Sequence, residues 1–167
     1  RVWFVDDGSR DRTWEIIQSF VQRGLPVAGI KLTRNRGHQN ALLAGLFTAE
    51  GEVVISIDAD LQDDINAIEQ MLDRFHDGYD IVYGVRKRRR SDTLFKRFTA
   101  EIFYRLVASL GAQTIFNHAD YRLLSRRAVE DLKKFRETNL FLRGIVPLIG
   151  YRSTIVHYER TPRFAAA

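Results

Sequence analysis

The stretch Val53-Val54-Ile55-Ser56-Ile57-Asp58-Ala59-Asp60-Leu61-Gln62 decides the fold. Its first five residues are apolar apart from one small serine, the pattern of a buried strand. Two carboxylates, Asp58 and Asp60, stand where that strand ends. In an open α/β sheet the carboxyl ends of the strands are where ligands bind. Two acids crowded there repel each other and lose hydration unless a cation sits between them. Oxygen ligands of this kind suit Mg²⁺ or Mn²⁺, and such a metal usually also takes substrate phosphates. The strand end reads as a seat for a metal and a diphosphate, and Gln62 can supply a neutral oxygen.

The same alternation extends in both directions. Val2–Val5 reads as a buried strand, and Asp6-Asp7-Gly8-Ser9 as the turn after it. Ser9 or Asp11 can cap a helix over Thr13–Arg23, whose Trp14, Ile17, Phe20 and Val21 have helical spacing. Val27–Leu32 is a second strand and His38–Ala49 a helix rich in small residues. After the third strand come a helix over Ile65–Phe75 and a strand over Asp80–Val85. An apolar stripe runs along Leu94–Leu110. Ala119–Leu124 and Ser153–Tyr158 read as strands, Arg126–Phe135 and Leu140–Ile149 as helices. Strands and helices alternating over short connections imply an α/β fold, a mainly parallel sheet with helices on both faces.

Composition narrows the class. A chain of 167 residues suits one domain with a real core. Without cysteine, disulfides and thiolate metal sites are excluded. No apolar run reaches the roughly 18 residues that a bilayer span needs. The net charge of +5 favours anionic partners. The basic run Arg86–Arg90 is consistent with phosphate or lipid head groups. Nucleic acid is set aside, because no aromatic stacking platform or recognition helix accompanies the run. His38, His76, His118 and His157 lack metal-ligand spacing and are read as structural, His118 with more caution because it lies two residues from Asp120.

Each acidic or basic group also has a plain structural reading. Asp6 and Asp7 can accept hydrogen bonds from a base or ribose, and their residues equally explain a turn with a helix cap. Asp58 and Asp60 could be a cap and a surface acid. Asp63 and Asp64 favour the N-terminus of the next helix through its dipole. Arg86, at the end of the fourth strand, can grip a diphosphate with its planar fork.

Taken together, Val5-Asp6-Asp7-Gly8-Ser9-Arg10-Asp11, Asn35-Arg36-Gly37 through Ala41, Asp58-Ala59-Asp60-Leu61-Gln62 and Gly84-Val85-Arg86 resemble the inverting family-2 glycosyltransferases of GT-A (Rossmann-like) fold. Phe103-Tyr104, Ala119-Asp120-Tyr121-Arg122-Leu123 and Tyr158-Glu159-Arg160-Thr161-Pro162-Arg163 are similar to the polyprenyl-phosphate branch, the dolichyl-phosphate mannose synthases and undecaprenyl-phosphate glucosyltransferases. The resemblance implies transfer of a sugar from a UDP- or GDP-linked nucleotide sugar to a polyprenyl phosphate. It implies that Asp6 or Asp7 contacts the nucleotide and that Asp58, Asp60 and Gln62 organise the metal, Mg²⁺ or Mn²⁺. It places Arg86 on a phosphate, Asp120 and Arg122 by the reacting sugar and acceptor phosphate, and Arg160 and Arg163 over the diphosphate. Asp60, Asp120 and Arg122 are the expected catalytic group. A membrane surface at the cytoplasmic face, an anchored full-length protein of which this stretch is a soluble part, and a possible homo-oligomer belong to the same expectation.

Two departures from the pattern bear on extent. The family's first strand, with its Pro-x-Tyr-Asn-Glu-like stretch, has no counterpart, and the C-terminal loop stops at Phe164 before the usual Gly and Ser-Lys. Residues 1–164 are accordingly expected to be one catalytic domain cut short at both ends, with 165–167 a tail. The alternatives are a related transferase acting on a glycan hydroxyl, which needs a carboxylate base such as Asp120, and a non-catalytic module binding nucleotide or anionic lipid.

Overall fold

The computed structural model describes residues 1–87, 118–135 and 141–159. Along the chain run β1 (Val2–Asp6), α1 (Thr13–Gln22), β2 (Val27–Lys31), α2 (His38–Thr48), β3 (Val53–Ser56), α3 (Ala67–His76) and β4 (Ile81–Arg86). Then come β5 (His118–Ser125), α4 (Arg126–Leu132), α5 (Leu142–Leu148) and β6 (Ser153–Tyr158). Every element expected within the described residues is present, with ends displaced by at most three residues. The stripe over Leu94–Leu110 lies outside the described residues.

The α/β class follows the alternation, while the pairing is mixed rather than mainly parallel. β1 and β2 pair parallel. The other four strands form a sheet in the order β3-β5-β4-β6, where β4 and β6 pair parallel and β5 is antiparallel to both β3 and β4. β3, β4 and β6 therefore point the same way. Their carboxyl ends and the start of β5 share one edge, with Ser56 opposite Arg122, Val85 opposite His118 and Arg86 opposite Tyr158.

β4 is buried on both faces, which its near-continuous apolar sequence requires. Ile81, Tyr83 and Val85 face Leu46 of α2, Val129 and Leu132 of α4, and Leu142 and Val146 of α5. Val82 faces the other way, toward Ala67 and Met71 of α3, Tyr121 and Val156. The period of two puts one helical layer on each side of the sheet. On β5 the same alternation sends Tyr121 and Leu123 to the α3 side and Leu124 to the α2 side.

Local polar contacts set the element ends. Arg12, not Ser9 or Asp11, occupies the N-cap of α1, and Asp11 instead accepts from the Thr13 N–H at 3.0 Å and the Thr13 hydroxyl at 2.6 Å. Ser125 caps α4 by accepting from the Ala128 N–H at 3.2 Å and donates to Asp80 at 2.8 Å. That serine fixes the far edge of the sheet to α4.

Gly84 has no room for a side chain. A Cβ there would stand 2.9 Å from Tyr121 Cδ1, 3.0 Å from the Tyr121 carbonyl oxygen and 3.0 Å from Met71 Cε. Because one of these neighbours is backbone, the strand itself would have to shift. Gly84→Ala should lower stability by about 1–3 kcal/mol, the usual cost of overpacking, read as an earlier midpoint in urea unfolding.

Candidate active site

The shared strand edge gathers most of the residues singled out from the sequence. β3 ends at Ser56, and Asp58 lies in the loop that leaves it. Ser56 is buried and its hydroxyl donates to the Asp120 carbonyl at 2.5 Å, which ties the end of β3 to the start of β5. Asp120 is buried and has three partners. The Arg122 guanidinium contacts its Oδ1. His38 Nε2 lies 2.8 Å from its Oδ2, and Arg143 Nη2 lies 3.3 Å from the same oxygen. An ionised carboxylate only accepts, so His38 carries a proton on Nε2. Burial alone would raise the Asp120 carboxyl, but Arg122, Arg143 and His38 outweigh it and hold it below the ordinary range.

Asp58 behaves in the opposite way. Burial pushes its carboxyl up, His38 at 3.9 Å opposes that, and the nearby charges of Asp63, Asp120 and Asp60 push it further. Asp58 is an under-compensated acid in an acidic neighbourhood. Asp60 Oδ1 accepts from the Gln62 N–H at 3.1 Å, and the intervening Leu61 takes a left-handed backbone with φ of 58°. A non-glycine residue held there costs about 1–2 kcal/mol, a strain that tends to be kept at functional sites. Gln62 is buried.

Arg86 is also placed here. Its Nη2 donates to Asp63 Oδ1 at 3.2 Å, its Nε to the Tyr158 hydroxyl at 3.1 Å, and that hydroxyl donates to Asp63 at 2.5 Å. Asp63 is therefore not a helix-dipole residue, as its position suggested. It is a buried anchor for the guanidinium. Asp64 does sit at the entry to α3, accepting from the Asn66 N–H at 2.9 Å. Burial lowers Arg86, but Tyr158 and Asp63 raise it, so its charge is secure.

β1 delivers the second acidic pair. Asp6 is buried; its Oδ1 accepts from the Ser9 N–H at 2.8 Å, while its Oδ2 has no partner among the described residues. Asp7 spends both oxygens on backbone, accepting from Arg36 N–H at 2.7 Å and Gly37 N–H at 2.9 Å. Gly8 makes this junction possible. It has φ of +75°, and a Cβ would stand 2.6 Å from the Asn35 nitrogen. Asp7 thus holds the loop that leads into α2 and presents His38, whereas Asp6 keeps a free acceptor.

The opposite edge offers an open recess lined by Glu52, Phe75, Tyr79, Asp80, Arg126 and Arg127. Three of its charged groups are engaged with each other or with backbone: Arg127 clamps Asp80 with both arms, and Arg126 donates to the Gly51 and Ala49 carbonyls. The unspent chemistry lies at the Asp58 edge.

The sequence profile of glycosyl transferase family 2 matches residues 1–133. The chain belongs to that family. It is 54% identical over 167 residues to the uncharacterized glycosyltransferase YkoT of Bacillus subtilis (strain 168), covering 99% of this chain and 50% of that protein. It is 40% identical over 163 residues to the bactoprenol glucosyl transferase of Shigella phage SfX, covering 97% of this chain and 53% of that protein. The chain spans about half the length of the curated relatives it matches. Among solved structures it is similar to the mannosyltransferase PcManGT from Pyrobaculum calidifontis, determined in complex with GDP-Man and Mn²⁺, with a TM-score of 0.65 and 21% identity over 99% of this chain and 49% of that one. That likeness establishes the GT-A fold.

Within this family 2 chain, the expected site residues divide. Asp58, Asp60, Gln62, Arg86 and Asp120 belong to the shared strand edge or its loops, and Asp6 ends β1 in the separate β1–β2 pair. Arg122 has no exposed surface, its guanidinium contacts Asp120, and its Nε and Nη1 have no partner among the described residues. Arg160 and Arg163 lie outside the described residues. Two groups escaped the sequence reading. His38 looked structural, although its place as the first residue of α2 was the available signal. Arg143 had no local signal, because only the packing of α5 brings it to Asp120.

Asp58 has a raised carboxyl in the folded chain, so folding favours its protonated form. The sign follows: the penalty of ionised Asp58 is absent below the ordinary carboxylate range and fully present above the raised value. With chelator at about pH 7, Asp58→Asn should unfold at a higher temperature than the parent, and the gap should close as the pH is lowered through the carboxylate range. Thermal melts followed by circular dichroism across that range check it.

Proposed function

We propose that the protein transfers a sugar from a nucleotide sugar to a polyprenyl phosphate, with inversion and with help from a divalent metal. An oxygen of the acceptor phosphate forms the new bond to the anomeric carbon. The bond from that carbon to the diphosphate oxygen breaks, and the nucleoside diphosphate leaves with the electron pair.

The observation that carries this reading is the state of Asp120. Two guanidiniums and a histidine hold it ionised and occupy its oxygens, which makes it a weak base. A sugar hydroxyl would need a strong base to be activated. A phosphate monoester does not, because it is already largely ionised at neutral pH, with a second pKa of about 6. The bactoprenol glucosyl transferase name of a 40% identical relative supports the same acceptor class.

The other roles follow from placement. Asp6, with its spare buried oxygen, accepts from the base or ribose of the donor. Arg86, fixed by Asp63 and Tyr158, presents its remaining donors to a phosphate. The residues at the end of β3 suit a divalent cation, since Asp58 is destabilised by neighbouring carboxylates that such an ion would relieve. Asp58 and Asp60 would hold it, with Gln62 as the neutral oxygen. Among the described residues no three His, Asp or Glu side chains already form a ligand set, so the donor's phosphates would complete it. Bound there, Mg²⁺ or Mn²⁺ supplies charge neutralisation for the departing diphosphate. A lipid acceptor implies work at a membrane surface; among the described residues no helix is long and apolar enough to cross one.

The test is to incubate the full-length protein with Mn²⁺ or Mg²⁺, undecaprenyl phosphate and a panel of radiolabelled nucleotide sugars, then extract with organic solvent. Label should enter the lipid phase with one donor, and Asp60→Ala should abolish it. Label transferred instead to a soluble glycan would replace this reading with the hydroxyl-acceptor transferase. Donor binding without any turnover would make the protein a binding module.

A further inference from the structure

We propose that Arg143 is the residue that binds the phosphate of the acceptor, beside Asp120. This rests on the lipid-phosphate reading above and assigns a residue to its acceptor.

The first ground is charge balance. Asp120 carries one negative charge, and the buried Arg122 already neutralises it. Arg143 brings a second permanent positive charge to the same carboxylate. Its contacts are the long ones, 3.3 Å from Nη2 and 3.5 Å from Nε. A guanidinium so loosely held on a compensated acid retains donors and charge for another oxyanion.

The second ground is access. The Arg122 side chain has no exposed surface, whereas 46% of the Arg143 side chain is exposed. Only Arg143, of the two, can meet a ligand arriving from solvent. A planar fork that keeps free donors at the mouth of a site is suited to a phosphate.

The third ground is placement. Arg143 does not hang from a loose segment, because the Leu142 N–H ahead of it donates to Gln39 Oε1 at 3.3 Å, docking the start of α5 on the start of α2. Leu142 itself is fully buried. Arg143 meets Asp120 at the oxygen that also receives His38, and His38 in turn lies 3.9 Å from Asp58. A chain of contacts thus runs from the under-compensated Asp58 through His38 and Asp120 to the exposed guanidinium of Arg143.

Apolar surface adjoins the arginine. Phe141 is 61% exposed, and its ring lies over Gly144, where a Cβ would come within 2.9 Å of Cδ1. A phosphate seated on Arg143 would bring its first isoprene unit close to that ring.

The experiment is steady-state kinetics on the full-length protein with its nucleotide sugar and a short-chain polyprenyl phosphate, comparing the parent with Arg143→Met and Arg143→Gln. Because the side chain is half-exposed, either neutral variant that keeps the parent's circular dichroism is sufficient for the comparison. The KM for the polyprenyl phosphate should rise about tenfold or more while the KM for the nucleotide sugar stays within about twofold. An unchanged acceptor KM, or a rise confined to the donor KM or to a lower kcat, overturns the assignment. A parent protein that transfers no sugar to any polyprenyl phosphate overturns the underlying reading and the assignment with it. Parent transfer with normal acceptor KM in the variants overturns the assignment alone.

Discussion

The buried ion pair between Asp120 and Arg122 sets where His38, Arg143 and Ser56 stand at the open edge. A lone carboxylate at that depth would cost several kcal/mol in lost hydration, and the arginine beneath it removes most of that cost. Once Asp120 is fixed and ionised, its oxygens collect His38 from α2 and Arg143 from α5, while its backbone carbonyl receives Ser56 from β3. Three elements distant in sequence are held against one residue. Such a pair is a poor source of net stability and a good source of position, because removing either partner leaves a buried charge uncompensated.

That arrangement explains why two acids near each other behave differently. Asp120 has arginines and is held ionised. Asp58 has mostly carboxylates for neighbours and is pushed toward protonation. The contrast leaves one compensated acid and one whose neighbours a cation would relieve, bridged by His38. A parallel division holds for the two acids after β1, where Asp7 is consumed by backbone and Asp6 is not. It holds again for the arginines, with Arg122 sealed in the sheet and Arg86 and Arg143 reaching solvent. In each pair one residue builds the site and the other remains available to a ligand.

Much of this was legible in the residues alone. Strand and helix periods located the elements, and the acids at the ends of β1 and β3 were readable because a buried strand has a defined exit. What was not legible is tertiary. Nothing in His118–Ser125 says that the strand enters antiparallel between β3 and β4, since periodicity carries no direction. The role of Asp63 was hidden because its partners Arg86 and Tyr158 lie 23 and 95 positions away. Arg122 looked like a ligand residue beside Asp120 and does share its face of β5, but pairing opposite Tyr83 under the helices packed on that face buries it completely. Arg143 lies on a short helix with no motif, and only the Gln39–Leu142 contact and the apolar packing of α5 bring it in.

If the edge organised around Asp120 seats a metal and a diphosphate at the end of β3, both should be visible there together. The most direct measurement is anomalous diffraction from crystals grown with Mn²⁺ and a nucleoside diphosphate. The expected result is a manganese peak in contact with Asp58 and Asp60, bridged to the diphosphate, with Arg86 on the phosphate oxygens. Manganese bound elsewhere, or a diphosphate bound away from this edge, would contradict it.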